Sequence, residues 1–285
     1  MRAAAKAIGR EGWAAQLLAH QWPDGHWVTP GTSAEDLYRP KYIATNWAAI
    51  VLADLGMTRA DPRIRRTAEM ILDRWSRELT GRNAEICITG NAVRTLTRFG
   101  YLDHPLVQRS IDWIVRTQKR DGGWHCFPSR TGTLDSWEGL AALAEIPEDR
   151  RDERVQTSIE RGAEFFLRHR LIEEGKVRYP PWFRIHYPNH YYYDALVGLR
   201  ILTRLGYGAD PRVAPALRWL RRKRARDGTW ALDDALPDLD PKLAGYPFRG
   251  VVFPMMLEPL HDPSQWATVE ALSVLTRAEA SRTGR

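Results

Sequence analysis

His190 and Asp194 are separated by four residues, a spacing that on one helical face lets two side chains share a proton or a ligand. A carboxyl withdrawn from water keeps its proton above the ordinary carboxylate range, so a buried Asp194 can serve as a general acid with His190 orienting it. A buried polar pair held only by hydrogen bonds is the competing reading. Cys87, Cys126 and His190 form a second set, because thiolate and imidazole bind zinc well and three protein ligands leave one position open for chemistry. No CxxC pair accompanies them, and two inert buried thiols are the alternative. Arg178 and Arg184 offer planar forks for a diphosphate or a carboxylate, or else form a solvated basic loop. His125, Arg130, Tyr179, Trp182 and His186 belong to the same loops.

The elements that must position these groups are set by a repeat. QWPDGHW at 21–27, QKRDGGW at 118–124 and RARDGTW at 224–230 share one pattern. At an offset of 106 residues, Leu96, Thr97, Arg98, Gly100, Tyr101, Trp113, Asp121, Gly122 and Trp124 match Leu202, Thr203, Arg204, Gly206, Tyr207, Trp219, Asp227, Gly228 and Trp230. Each copy reads as a helix ending at a glycine C-cap, a short loop, and a second amphipathic helix. Asp61 with Pro62 and Asp210 with Pro211 are N-cap and first-turn pairs. First helices are predicted near 42–55, 86–99, 133–145, 190–205 and 264–277, and second helices near 62–78, 105–119, 152–170 and 211–225. An N-terminal helix precedes them at about 3–20. First helices are apolar nearly all round and should lie inside; second helices carry Arg and Glu on one face and should lie outside. The expected fold is therefore all-α: one domain over 1–285, with about five helical hairpins closing into an α/α toroid around a central cavity. An open solenoid is the alternative.

Composition excludes several classes. With 44% apolar residues and a mean hydropathy of −0.46, the chain has no uninterrupted apolar run long enough to span a bilayer. Lys6, Arg10 and Glu11 interrupt what a secretory signal would require, so a cytoplasmic protein is expected, with peripheral membrane contact left open. Two cysteines are too few for a disulfide scaffold. A net charge of +7 suits anionic partners, but Arg218, Arg221, Arg222, Lys223, Arg224 and Arg226 end a predicted helix, where cations favour the dipole. Without a recognition motif, no nucleic-acid binding is expected.

QxxDGxW is the QW motif, and on it the sequence resembles the terpenoid cyclase and protein prenyltransferase β-subunit superfamily, including squalene-hopene cyclases, over residues 21–277. The resemblance implies structural roles for Gln21, Asp24, Trp27, Gln118, Asp121, Trp124, Asp227 and Trp230, with Arg224 standing where the motif has Gln. It also implies an apolar cavity with aromatic walls for isoprenoid chains, here assigned to Trp47, Trp137, Tyr191 and Tyr193, with Arg178 and Arg184 at its mouth. The alternative is that most aromatics pack hairpin on hairpin. Proton-initiated members carry a DxDD segment where this chain reads PNHYYYDAL, which moves the acid to Asp194; an imidazolium of pKa about 6.5 is a poor substitute for protonating an alkene. DDALPDLD at 233–240 reads as a solvated loop, and no DDxxD segment is present to hold magnesium. The prenyltransferase branch implies zinc, here Cys87, Cys126 and His190, and a second subunit. The apolar FRGVVFPMMLEPL at 248–260 reads as a plug, an entrance or a membrane contact.

Three functions follow as expectations: acid-catalysed cyclisation or isomerisation of a hydrophobic substrate, a non-catalytic toroid that binds a lipid-like ligand or a partner, and zinc-dependent prenyl transfer.

Overall fold

The computed structural model describes residues 8–27, 37–39, 41–42, 44–235 and 258–283. Among them are eleven α-helices and one two-residue antiparallel ladder, β1 (Trp230–Ala231) with β2 (Pro263–Ser264). The fold is all-α. The chain forms two compact units, residues 1–113 and residues 114–235 with 258–285, each described by itself.

The first unit holds α1 (Gly12–Ala19), α2 (Thr45–Asp54), α3 (Pro62–Arg74), α4 (Ser76–Thr80) and α5 (Ile86–Phe99); the unit boundary falls within α6 (Pro105–Thr117). Helix α3 starts where Asp61 accepts the Arg63 N–H at 2.9 Å and Pro62 occupies the first turn. Helix α5 stops at Gly100, whose φ of 97° lets the Tyr101 N–H reach back to the Leu96 carbonyl at 2.9 Å. Burial follows the predicted division. Every residue of α2 from Thr45 to Ala53 is buried, whereas α3 buries only Ile64, Thr67, Ala68, Met70, Ile71 and Leu72.

The second unit holds α7 (Glu138–Ala144), α8 (Glu153–Arg168), α9 (Ala195–Arg204), α10 (Ala214–Arg222) and α11 (Gln265–Thr283). All seven residues of α7 are buried, and α8 is one-sided. Helix α11 departs from the expected all-round burial. It buries the single stripe Ala267, Ala271, Val274 and Ala278, and exposes Val269 and Leu272. The stripe consists largely of alanines because the approach is close: a Cβ on Gly208 would stand 2.7 Å from the Ala278 Cα.

The three repeated turns are built alike. Trp27, Trp124 and Trp230 each donate the indole N–H to a carbonyl ten residues upstream, Leu17, Ile114 and Leu220, at 2.8–2.9 Å. The turn glycines Gly25, Gly122 and Gly228 have φ between 91° and 100°, which favours glycine. Asp24, Asp121 and Asp227 accept backbone N–H groups two residues on. Gln118 donates to the Gly122 carbonyl at 2.8 Å and to the Ser158 carbonyl of α8 at 2.9 Å. Arg224 takes over the first of these bonds, donating from Nε to the Gly228 carbonyl at 3.2 Å. Trp124 is wedged so tightly that a Cβ on Gly139 or Gly162 would meet its ring at 2.6 and 3.0 Å.

Candidate functional site

Asp194 lies ahead of a helix rather than within one. Its φ of −138° and ψ of 166° are extended, and α9 begins at Ala195, so the predicted helical start at 190 is five residues too early. The reason is the cap itself. Asp194 Oδ1 accepts the Val197 N–H at 2.8 Å, and Oδ2 accepts the His186 N–H at 2.9 Å and the Asn189 side-chain amide at 3.3 Å. His190 and Asp194 therefore do not share a helical face. Both are fully buried, His190 in the irregular segment that precedes the cap.

Burial pushes the Asp194 carboxyl up from the usual carboxylate range, against the N–H groups of His186 and Val197 and the positive charges of His186 and Arg200. Tyr193 beside it is pushed up by burial and by the negative charges of Asp194, Asp135 and Glu174. Its hydroxyl donates to the Leu171 carbonyl at 2.7 Å. Its ring stands 6.0 Å from Trp182, edge-on, and 5.9 Å from Phe166.

Two acids in this neighbourhood were not singled out from sequence. Asp135 accepts the Trp182 indole N–H at 2.8 Å, and Glu174 accepts the Thr133 hydroxyl at 2.9 Å as well as the Leu134 N–H. Asp135 keeps contact with solvent, yet the protein around it withdraws enough water to raise its carboxyl; the Trp182 bond and His125 oppose this, and the Glu174 charge adds to it. Asp135 corresponds to no chemical motif, so only its surroundings mark it. Arg94 and Arg200 also went unnoticed, although they are identical at the repeat offset. Arg94 meets Asp54 at 2.9 Å and Arg200 meets Glu270 at 2.8 Å, so each repeated arginine is paired, with acids that are not counterparts in the repeat.

The aromatic candidates are packed. Trp47 is fully buried, donates to the Tyr38 carbonyl at 2.7 Å and has Tyr38 and Tyr42 as ring neighbours. Trp137 is buried and donates to the Tyr191 carbonyl at 3.4 Å, while Tyr191 itself is half-buried. Arg178 stands 3.8 Å from Glu173 and lies over the Phe183 ring, and Arg184 stands 3.2 Å from Asp234, so each faces an acid. His186 stacks on Tyr192, with ring centroids 4.8 Å apart.

Cys87 is buried, with its thiol 3.5 Å from Glu85 Oε2; Cys126 is half-buried and accepts the Ser136 hydroxyl at 3.8 Å. Among the described residues no three His, Cys, Asp or Glu side chains are grouped as metal ligands. Asp238, Asp240 and the segment 248–257 lie outside the described residues; Asp233 pairs with Lys223 at 2.7 Å. No described helix is long and apolar enough to cross a membrane.

No family model matches the chain, and no curated protein does. Among solved structures, a protein from Actinoplanes matches with a TM-score of 0.53 at 17% identity, over 99% of this chain and 78% of that one. This likeness is one of fold. The type II terpene cyclase MstE from Scytonema, as a variant in complex with geranylgeranyl dihydroxybenzoate, gives a TM-score of 0.33 at 13% identity, over 99% of this chain and 97% of that one. The apo form of MstE gives 0.33 at 14% identity, over 99% and 98%.

Proposed function

We propose that this chain is a terpenoid cyclase-like enzyme that protonates an isoprenoid or other hydrophobic substrate within an α/α toroid, with Asp194 as the acid and His190 as its positioning partner. The observation that carries the reading is a fully buried carboxyl whose proton affinity is raised by burial, in the residue next to Tyr193, whose ring meets Trp182 and Phe166. Protonating an alkene needs a carboxylic acid that is still protonated near neutral pH and aromatic faces that stabilise the cation formed. The QxxDGxW resemblance supplies the substrate class. Trp137, Tyr191 and Tyr193 of the second unit are its proposed walls, and Arg178 and Arg184 its mouth once they are released from Glu173 and Asp234.

The test is incubation with linear isoprenoids and mass spectrometry of the products. Asp194→Asn and His190→Ala are each expected to lose turnover, with circular dichroism and melting showing that the fold is kept. Full activity in both folded variants rejects the assignment.

One observation favours a second reading, a non-catalytic toroid binding a lipid-like ligand. Both Asp194 oxygens already accept N–H donors, which is the bonding of a structural cap. That reading predicts a ligand carried through purification and no product. Zinc-dependent prenyl transfer through Cys87, Cys126 and His190 has its own test: zinc content lost in Cys87→Ser and Cys126→Ser supports it, and unchanged or absent zinc ends it.

A further inference from the structure

A cleft of about 630 Å³ in the second unit is lined by Arg116, Thr117, Gln118, Lys119, Arg120 and Arg130. Four of the six carry positive charge and none carries negative charge. Among the described residues, none of these four cations makes an ion pair or a side-chain hydrogen bond, unlike Arg178 and Arg184.

The helix dipole accounts for part of this charge, since Arg116 lies in the last turn of α6. It does not account for Arg130, which comes from the far side of the Trp124 turn. The repeat gives an internal comparison. Positions 116–118 and 120 correspond to Arg222, Lys223, Arg224 and Arg226. There Lys223 is paired with Asp233 at 2.7 Å, and Arg224 lies over the Trp230 ring and donates to the Gly228 carbonyl. Among the described residues Arg222 and Arg226, the counterparts of Arg116 and Arg120, likewise make no ion pair or side-chain hydrogen bond, so the two copies differ in Lys119 and Arg130, which stand where the other copy has Ala225 and Leu236.

The remaining polar lining is committed to structure. Gln118 donates to the Gly122 and Ser158 carbonyls and accepts the Ser158 hydroxyl at 3.0 Å, and Thr117 donates to the Ile114 carbonyl at 3.2 Å. Gln118 thus fixes the turn that carries Lys119 and Arg120, and the side chains left over are donors only. A donor-only, cationic cleft selects a ligand whose atoms are all acceptors. We infer that this cleft binds a multiply charged phosphate anion, held by Arg116, Lys119, Arg120 and Arg130. The inference is independent of the acid chemistry assigned to Asp194.

The test is calorimetric titration of the full chain with inorganic pyrophosphate at low salt, beside co-sedimentation with phosphatidylcholine vesicles with and without phosphatidic acid. The triple variant Lys119→Gln, Arg120→Gln, Arg130→Gln is compared with the double variant Arg222→Gln, Arg226→Gln at two exposed arginines of the other copy, melting curves confirming that both fold. Saturable binding is expected, weakened at least about tenfold by the triple variant and unchanged by the double one. Pyrophosphate binding alone assigns a soluble ligand, and phosphatidic acid-dependent sedimentation a lipid headgroup. Absence of saturable binding to either probe, or equal loss in both variants, overturns the proposal.

Discussion

Replacing Asp194 by Asn tests whether the carboxylate is built into the fold as well as poised for chemistry. The amide oxygen can still accept the Val197 N–H that starts α9, but the amide nitrogen then faces the His186 N–H and the Asn189 amide, which are donors 2.9 and 3.3 Å from Oδ2. A buried donor left without an acceptor costs about 1–3 kcal/mol. In a unit of this size that lowers the melting temperature by roughly 2–12 °C. Asp194→Ala also removes the cap and costs about 1 kcal/mol more. The pH dependence has a definite sign. Native Asp194 holds its proton more tightly than the unfolded chain does, so this group's contribution to stability falls as pH rises above 3.8 through its native value. Asn does not titrate, so the gap between wild type and Asp194→Asn should be wider at acid pH and narrow towards neutrality. Thermal melts followed by circular dichroism at a series of pH values give both quantities. A melting temperature unchanged in Asp194→Asn, or a gap that widens as pH rises, refutes the account. The same variant is the probe of turnover, so activity is to be read below its own melting transition.

Gly122→Ala should cost about 3 kcal/mol or more, because a Cβ would stand 2.2 Å from the Arg161 carbonyl oxygen on top of a φ of 95°, whereas Gly206→Ala, with φ 88° and open space around it, should cost about 1 kcal/mol; equal melting temperatures would contradict this. Asp54→Ala removes the carboxylate facing Arg94, both side chains being about 5% exposed or less, and should destabilise by about 3–5 kcal/mol in urea unfolding; a loss below about 1 kcal/mol would show the pair to be dispensable. Asp61 and Asp210 are each held below the usual carboxylate range chiefly by a hydrogen bond from the following arginine, Arg63 or Arg212. Their contribution, about 0.5–1 kcal/mol each after allowance for solvent, is present above pH 3.8 and lost as pH falls through the native values; Asp61→Asn and Asp210→Asn should flatten the acid limb of the stability profile.

The sequence by itself determined the helices and the turns between them, because those depend on neighbours in the chain. Apolar spacing located α5 at Ile86–Phe99 as predicted, the Asp61–Pro62 pair located the start of α3, the Asp210–Pro211 pair located a 3-10 turn that leads into α10 at Ala214, and Gly100 and Gly206 located two stops. The DGxW pattern likewise fixed turns whose hydrogen bonds span four to ten residues, so that even Arg224 could replace Gln by supplying the same donor. Tertiary structure decided what the chemical residues are bonded to. The spacing of His190 and Asp194 read as helical, yet the His186 and Asn189 donors hold Asp194 as a cap and keep residues 190–193 out of the helix. Arg178 and Arg184 read as free cations, and each faces an acid, whereas Arg116, Lys119 and Arg120, which no motif marks, line a cleft with Arg130. Asp135 carried no motif, and its raised proton affinity arises from burial and from the charge of Glu174, distant in sequence, against the opposing hydrogen bond from Trp182. Local geometry is written in the order of residues, whereas the protonation and pairing of a side chain depend on solvent and charges that only the folded chain brings near.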